Sequence, residues 1–436
     1  MMPRNGESSS HTDRRSFLKG STAAVVSGSL AATLGSARMA HASSDDTLKV
    51  GLVGCGGRGN GAALNASRAD EHVQITAIAD IFEDRAQNAH RILQRQLGEK
   101  YAVPDDQVFH GFDGYKQVID ADVDVVLLAA PPNFRPPHLR YAIERGKHVF
   151  CEKPVAVDAP GVRHVLETAE MAKQKDLSIV SGLCWRYEYG VRETMRRIQD
   201  GAIGQITSIQ ENYLIGTLWH RTRQPEWTDM EYQIRNWLYY TWLSGDHIVE
   251  QFIHSLDKAL WLMGDQPPVS CVGLGGRQVR TEEQWGHIYD HFAVCYDWPE
   301  GVKTFAYTRQ MRNCTNDVDD YVMGTRGRAL LLGTQNRPRI INEDGPWHYE
   351  GPRPSMYDVE HQELFAGIRK GEPINDGVFM TYSTLLAIMG RMACYTGQEI
   401  TWEAALNSEE DLQPEKLEWG DAPTPVVAMP GITRFV

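Results

Sequence analysis

The chain has 436 residues, of which 42% are hydrophobic and 23% charged, with a formal net charge of −13. This is an ordinary globular composition with length enough for two domains and a large core. The acidity excludes a nucleic acid or an anionic membrane surface as partner, since either would be repelled, and it favours a neutral small molecule. Seven cysteines are scattered with neither a C-x-x-C pair nor a metal-ligand spacing, so they read as free thiols.

At the N-terminus, Asp13-Arg14-Arg15-Ser16-Phe17-Leu18-Lys19 is followed by an apolar run from Gly20 to Leu34 and by Ala40-His41-Ala42. Basic region, apolar region and A-x-A site in this order define a secretory signal over residues 1–42, and the paired arginines resemble a Tat signal. The expectation is export by the Tat machinery to the periplasm. Tat substrates cross the membrane folded, which suits unpaired cysteines and a cofactor loaded before export. Past this leader no uninterrupted apolar stretch of about 18 residues occurs, so no stable membrane anchoring is expected.

From Leu48 strand-like and helix-like segments alternate. Apolar runs at Lys49–Val53, Val73–Ala79, Val123–Ala129, His148–Cys151 and Leu177–Val180 are separated by helical patterns. That alternation predicts a doubly wound parallel sheet, a Rossmann-type α/β domain over residues 43–182. Gly54-Cys55-Gly56-Gly57-Arg58-Gly59 is a G-x-G-x-x-G loop placed between the first strand and its helix, and Asp80 follows at the end of the second strand. In this context the pattern is a dinucleotide fingerprint. Gly54 permits the tight turn, Gly56 lets a pyrophosphate approach the backbone, and Gly59 allows close helix–strand packing. A carboxylate at Asp80 suits ribose hydroxyls and opposes a 2′-phosphate, so NAD is expected over NADP. Arg58 could reach a phosphate.

Beyond residue 182 strands at Ile206–Tyr213, Val269–Leu274, His291–Tyr296, Lys303–Gln310, Tyr321–Met323 and Ala329–Leu332 follow one another with few helices between them. Residues 183–436 are therefore expected to form an α+β domain with a mostly antiparallel open sheet, ending in helices that pack back on the first domain. An open face of that kind predicts a dimer or tetramer. Trp219, Trp227, Tyr232, Trp237, Tyr239, Tyr240 and Trp242, interleaved with Arg221, Arg223 and Arg235, suit either a carbohydrate cleft or a packed insertion or oligomer contact.

Glu152-Lys153-Pro154 after the strand at 148–151, with Gly146-Lys147-His148-Val149 before it and Pro131-Pro132-Asn133 after the preceding strand, resembles the Gfo/Idh/MocA oxidoreductase family. The resemblance extends over the mature chain, through Arg186-Tyr187 and Gly201-Ala202-Ile203-Gly204. It implies cofactor contacts from Gly54, Gly56, Arg58, Gly59, Asp80, Pro131, Asn133, Glu152 and Lys153. Arg135 stands where members often have His.

The family's second catalytic element matches Glu250-Gln251-Phe252-Ile253-His254-Ser255-Leu256-Asp257, with Glu250 in place of the usual Asp. Read as one helix, Glu250, His254 and Asp257 share a face. The resemblance implies that His254 is the general base, that Glu250 orients and charges its imidazole, and that Lys153 stabilises the substrate oxygen. Arg186, Tyr187 and Asp257 would then line the substrate site. His247 and His254 are too far apart along a helix for a chelate, so no metal is expected.

These residues imply hydride transfer between nicotinamide and a secondary alcohol or ketone of a sugar or cyclitol. Export adds the variant of a redox-neutral oxidoreductase that keeps its nucleotide. The rival readings are an NAD-dependent glycosidase working by transient oxidation and elimination, and a non-catalytic sugar-binding protein on the same fold.

Overall fold

The structure is a computed structural model that describes residues 46–332 and 338–436. The leader reading, residues 1–42, lies outside the described residues. Six strands form the first sheet: β1 (Leu48–Val53), β2 (Val73–Asp80), β3 (Val108–His110), β4 (Val125–Leu128), β5 (His148–Cys151) and β6 (Ile179–Ser181). Their order is β3-β2-β1-β4-β5-β6, and every pairing is parallel. Parallel strands need helical crossovers on both faces, which is why Val50, Leu52, Val125, Leu127, Val149 and Phe150 are all fully buried and the strands read as unbroken apolar runs. The crossovers are α1 (Gly57–Ala69), α2 (Glu83–Leu97), α3 (Gly114–Asp120), α4 (Arg135–Glu144) and α5 (Ala159–Gln174). Chain order reverses between β1 and β4, and ligands bind at that switch point in doubly wound folds.

After α6 (Tyr189–Gln199) the second sheet begins with β7 (Ile206–Ile215). Helices α7 (Asp229–Arg235), α8 (Thr241–Ser244), α9 (His247–Glu250) and α10 (Ile253–Leu262) separate it from β8 (Ser270–Gly276), β9 (His291–Asp297) and β10 (Lys303–Gln310). Strands β11 (Asp317–Gly324), β12 (Gly327–Leu330), β13 (Arg339–Asn342), β14 (Gly345–His348) and β15 (Ile400–Thr401) complete nine strands in the order β14-β13-β12-β11-β7-β10-β9-β8-β15. All pairings but β7 with β10 are antiparallel. The expected β9–β10 hairpin is present, turning through Pro299–Gly301.

The last helices are α11 (Met356–Lys370), α12 (Gly377–Thr396) and α13 (Trp402–Asn407). Helix α11 packs on the first sheet: Val359, Leu364 and Phe365 join Val50, Leu52 and Leu127 in one apolar cluster. Helix α12 has the length and apolarity of a membrane span, yet 83% of that stretch is buried inside the protein. It fills the seam between the sheets, where Leu386 and Met389 share one core with Val149, Val165, Leu256 and Tyr296. The two predicted domains therefore have a continuous interior.

The expected single helix through Val249–Met263 is broken. Phe252 N–H reaches back to the His247 carbonyl, five residues away, and the Gln251 side chain is held by Gln310 at 2.6 Å. Helix α9 ends at Glu250, α10 starts at Ile253, and the three-residue stripe does not form on one face.

Candidate active site

The nucleotide loop is built by three different glycine requirements. Gly54 has φ of 98°, a left-handed conformation that favours glycine. At Gly59 a Cβ would sit 1.8 Å from the Gly54 carbonyl oxygen, so nothing larger than hydrogen fits. Around Gly56 and Gly57 a Cβ would meet nothing within 4 Å, because both open into a cleft of about 770 Å³. Helix α1 begins there with no side-chain cap and no acidic residue in its first turn. Its free N–H groups and positive dipole end are left for an anionic ligand, so the loop fits a dinucleotide pyrophosphate.

Asp80 ends β2 and lines the same cleft. Its two oxygens accept the Cys55 N–H at 2.8 Å and the Phe82 N–H at 3.0 Å. Burial raises its pKa, against the pull of Arg85. Arg58 is engaged by protein groups: its Nε donates to Glu152, Nη2 to Glu360 at 3.1 Å and Nη1 to Asn65 at 3.2 Å, while its guanidinium lies over Tyr357. It thus ties the glycine loop to Glu152 and to α11, and it still borders the cleft.

At the opposite end of the cleft stand Lys153, Glu250 and His254. Lys153 Nζ donates to the Glu250 carbonyl at 2.6 Å and to Glu250 Oε1 at 3.1 Å. Beneath them Arg135 Nη1 donates to the Pro154 carbonyl at 2.5 Å, bracing the turn that presents Lys153. Glu250 therefore serves Lys153, and it does not orient or charge His254 as the sequence had implied. The break after α9 is the reason, since it points the Glu250 carboxylate at the lysine. His254 Nδ1 is buried without a hydrogen-bond partner. Burial first, then the charges of Lys153 and Lys258, hold its pKa well below the usual imidazole value. The ring is neutral at neutral pH, and Lys258 pins its backbone by donating to the His254 carbonyl at 2.6 Å.

Four expected site residues are placed elsewhere. Arg186 donates to Asp257 at 2.9 Å and to Asp265 at 2.6 Å and lies over Phe379, while Asp257 also accepts from Ser383 at 2.8 Å. Tyr187 donates to Asp376 at 2.6 Å. These three knit α10, α12 and the 184–187 turn beneath the cleft. Asn133 is buried and accepts from Gln413 of the C-terminal tail, while its neighbour Pro131 reaches the cleft.

The aromatic run divides. Trp219, Arg221 and Trp237 line the cleft. Tyr232, Tyr239, Tyr240 and Trp242 are buried with Phe82 and Phe134 in a packed cluster. The packed-insertion reading thus holds for these four, while the first three border the cleft. Arg85, Phe112, Tyr115, Cys184 and Tyr357 also border the cleft and were missed, because no local pattern marks them.

A parallel sheet with an uncapped glycine loop at its switch point, facing a lysine, a carboxylate and a neutral histidine, defines a Rossmann-type nucleotide-dependent enzyme. Residues 48–180 match the oxidoreductase family with NAD-binding Rossmann fold named GFO_IDH_MocA, and residues 196–382 match that family's C-terminal alpha/beta domain, so the chain belongs to the Gfo/Idh/MocA family. It is 33% identical over 358 residues to an inositol 2-dehydrogenase of Pseudomonas syringae pv. syringae, covering 78% of this chain and 92% of that protein. Among solved structures, a levoglucosan dehydrogenase in complex with NADH and levoglucosan aligns with a TM-score of 0.66 at 18% identity, over 82% of this chain and 99% of the other. An aldose–aldose oxidoreductase from Caulobacter crescentus aligns with a TM-score of 0.61 at 19% identity, over 81% and 99%. At such identities the structures establish the fold.

Proposed function

We propose that this protein transfers hydride between a nicotinamide nucleotide and a secondary alcohol or ketone of a neutral sugar or cyclitol. The observation that carries it is the Lys153–Glu250 pair beside a neutral His254, in the same cleft as the uncapped start of α1. The names of the relatives, inositol and sugar dehydrogenases, support the substrate class. Bound nicotinamide supplies the hydride acceptor or donor. His254 takes the proton of the substrate hydroxyl, because its imidazole is unprotonated and no carboxylate competes for it. The Lys153 ammonium donates to the same oxygen and stabilises its developing negative charge, and Glu250 holds that ammonium in place. Asp80 takes the adenosine ribose hydroxyls, which makes NAD the expected nucleotide. Trp219 and Trp237 offer aromatic faces to sugar C–H surfaces.

Export through the Tat machinery to the periplasm belongs to the same proposal, supported by Arg14, Arg15 and Phe17. An exported enzyme would keep its nucleotide and run on it, one substrate reducing it and a second reoxidising it. Self-association through the outer face of the second sheet completes the reading.

The test is a panel of sugars, cyclitols and keto-sugars added to the purified full chain, followed by near-ultraviolet absorbance of the nicotinamide. A substrate-dependent rise or bleach is expected. A protein that binds nucleotide yet shows no absorbance change with any of them would overturn the assignment. Long dialysis, then denaturation and assay of the supernatant, tests retention: near-stoichiometric nicotinamide is expected, and an empty protein would refute it.

A further inference from the structure

Glu250 meets Lys153 from the end of α9, a single turn whose start is strained. The chain enters it through Gly245 and Asp246, with φ of 75° and 74°. At Asp246 ψ is 166°, a backbone region that glycine alone occupies freely. Such strain persists only where the surroundings over-determine it, and they do so here. The Asp246 carboxylate is fully buried and accepts four donors: the His247 N–H, His247 Nδ1 at 3.0 Å, the Tyr289 N–H at 2.8 Å and the Tyr395 hydroxyl at 2.6 Å. Burial opposes its charge, yet the bonds from His247, Tyr395 and Tyr289 outweigh burial and hold its pKa below the usual carboxylate value. The Asp246 carbonyl accepts the Glu250 N–H at 2.9 Å, the bond that closes α9. The segment 277–290, which supplies Tyr289, grips the exit as well: Arg280 donates to Gln310, which donates to Gln251 at 2.6 Å.

We infer that Asp246 is a positioning residue for the Lys153–Glu250 pair: its anchored carboxylate fixes the start of α9, so that Glu250, one turn on, presents both its carbonyl and its carboxylate to the lysine. The inference rests on the reading that Lys153 acts on the substrate oxygen. Asp246 does not border the cleft, so it reaches the chemistry through Glu250. A buried carboxylate with four donors is a stiff anchor, since each bond is charge-assisted. Glycine at this position would relieve the backbone and lose the anchor, which separates strain relief from positioning.

The experiment is a double-mutant cycle in the full chain. NAD⁺ affinity is measured by calorimetry and turnover by nicotinamide absorbance with myo-inositol. Lys153 itself is followed by its rate of acetylation with acetic anhydride, mapped by peptide mass spectrometry against the exposed Lys416. Acetylation needs a free amine and is slow where two acceptors hold the nitrogen. Asp246→Asn and Asp246→Gly should speed Lys153 acetylation and lower kcat, each by about tenfold, and leave the NAD⁺ Kd within about threefold. In a Glu250→Ala background the same substitutions should change both rates by only about twofold, because just the carbonyl of residue 250 is left to displace. Unchanged acetylation with full turnover in Asp246→Gly, or equal fold changes in the two backgrounds, would overturn the inference and leave the hydride-transfer reading standing. A parent protein that turns over neither myo-inositol nor any other sugar or cyclitol defeats that reading instead, and acetylation still decides whether Asp246 fixes the pair. Tyr395→Phe removes one donor from the Asp246 carboxylate and should give the same pattern at smaller size, which keeps the test open if the Asp246 variants do not fold.

Discussion

Lys153, Glu250 and His254 divide the chemistry in a way that decides what substitutions do. In the proposed mechanism, with Glu250 committed to Lys153, the imidazole acts as base without a carboxylate partner. His254→Ala should lower kcat by about 10²–10⁴ while nucleotide affinity stays unchanged in a binding titration, the usual scale for loss of a general base. The pH profile follows from the same geometry. A histidine whose pKa is depressed stays unprotonated as pH falls past the ordinary value of about 6.5, so the acid limb of kcat/KM should lie below the ordinary imidazole range. Glu250→Gln should lower kcat by freeing Lys153, with the acid limb moving by less than about half a unit. A full-unit downward movement in that variant would show that the carboxylate acts on the imidazole after all.

The glycine loop and the start of α1 form the element whose strand-to-helix turn sets the cofactor site. Two neighbouring glycines there should behave oppositely. In Gly59→Ala the methyl group collides with backbone at Gly54, and overpacking of this kind costs about 1–3 kcal/mol. The gain in helix propensity from Gly to Ala is at most about 1 kcal/mol, so the clash wins and denaturant unfolding should show a less stable protein. In Gly56→Ala the methyl group enters open space, so stability should be kept while the pyrophosphate is pushed off the backbone and nucleotide affinity falls. If both variants lose stability equally, the cleft does not lie where Gly56 opens.

At the scale of the whole molecule, the core that α11 and α12 share with both sheets encloses titratable groups. His361 on α11 is buried against Phe150, and burial lowers its pKa to about 3. The unfolded chain therefore binds one more proton than the folded one from about pH 6.5 down to about 3, and this residue alone withdraws about 1.4 kcal/mol of stability per unit of falling pH. His361→Gln should be less steeply destabilised than the parent protein between pH 6.5 and 4 in parallel denaturant titrations. Identical slopes would mean the histidine protonates without unfolding. On the outer face of the second sheet, register places Val272, Cys295 and Phe305 in one row and Leu274, Ala293 and Tyr307 in the next. Leu274 is 67% exposed in this patch. Apolar patches of this kind mark contact surfaces, so Leu274→Asp should shift the sedimentation coefficient toward that of a single chain and leave nucleotide binding intact.

Periodicity and spacing were sufficient to reveal both sheets and the glycine loop with Asp80, because each of these rests on local rules: apolar runs for doubly covered strands, and glycines where backbone must turn or be approached; Lys153 was marked by the family resemblance of Glu152-Lys153-Pro154 at a strand end. Short strands at or beside the sheet edges, β3, β13 and β14, escaped, since four residues or fewer carry little period. The break at Gln251 and Phe252 escaped because helical spacing continues through it, and the partner of the Gln251 side chain, Gln310, comes from β10, far along the chain. Arg186, Tyr187 and Asp257 look like site residues along the chain, but Asp265, Ser383 and Asp376 claim them in space. Composition and motif determined by themselves the class of fold and the place of the nucleotide. Only the tertiary structure decided which charged groups pair with each other and which remain free for a ligand, because ion pairing depends on distances between residues far apart in the chain.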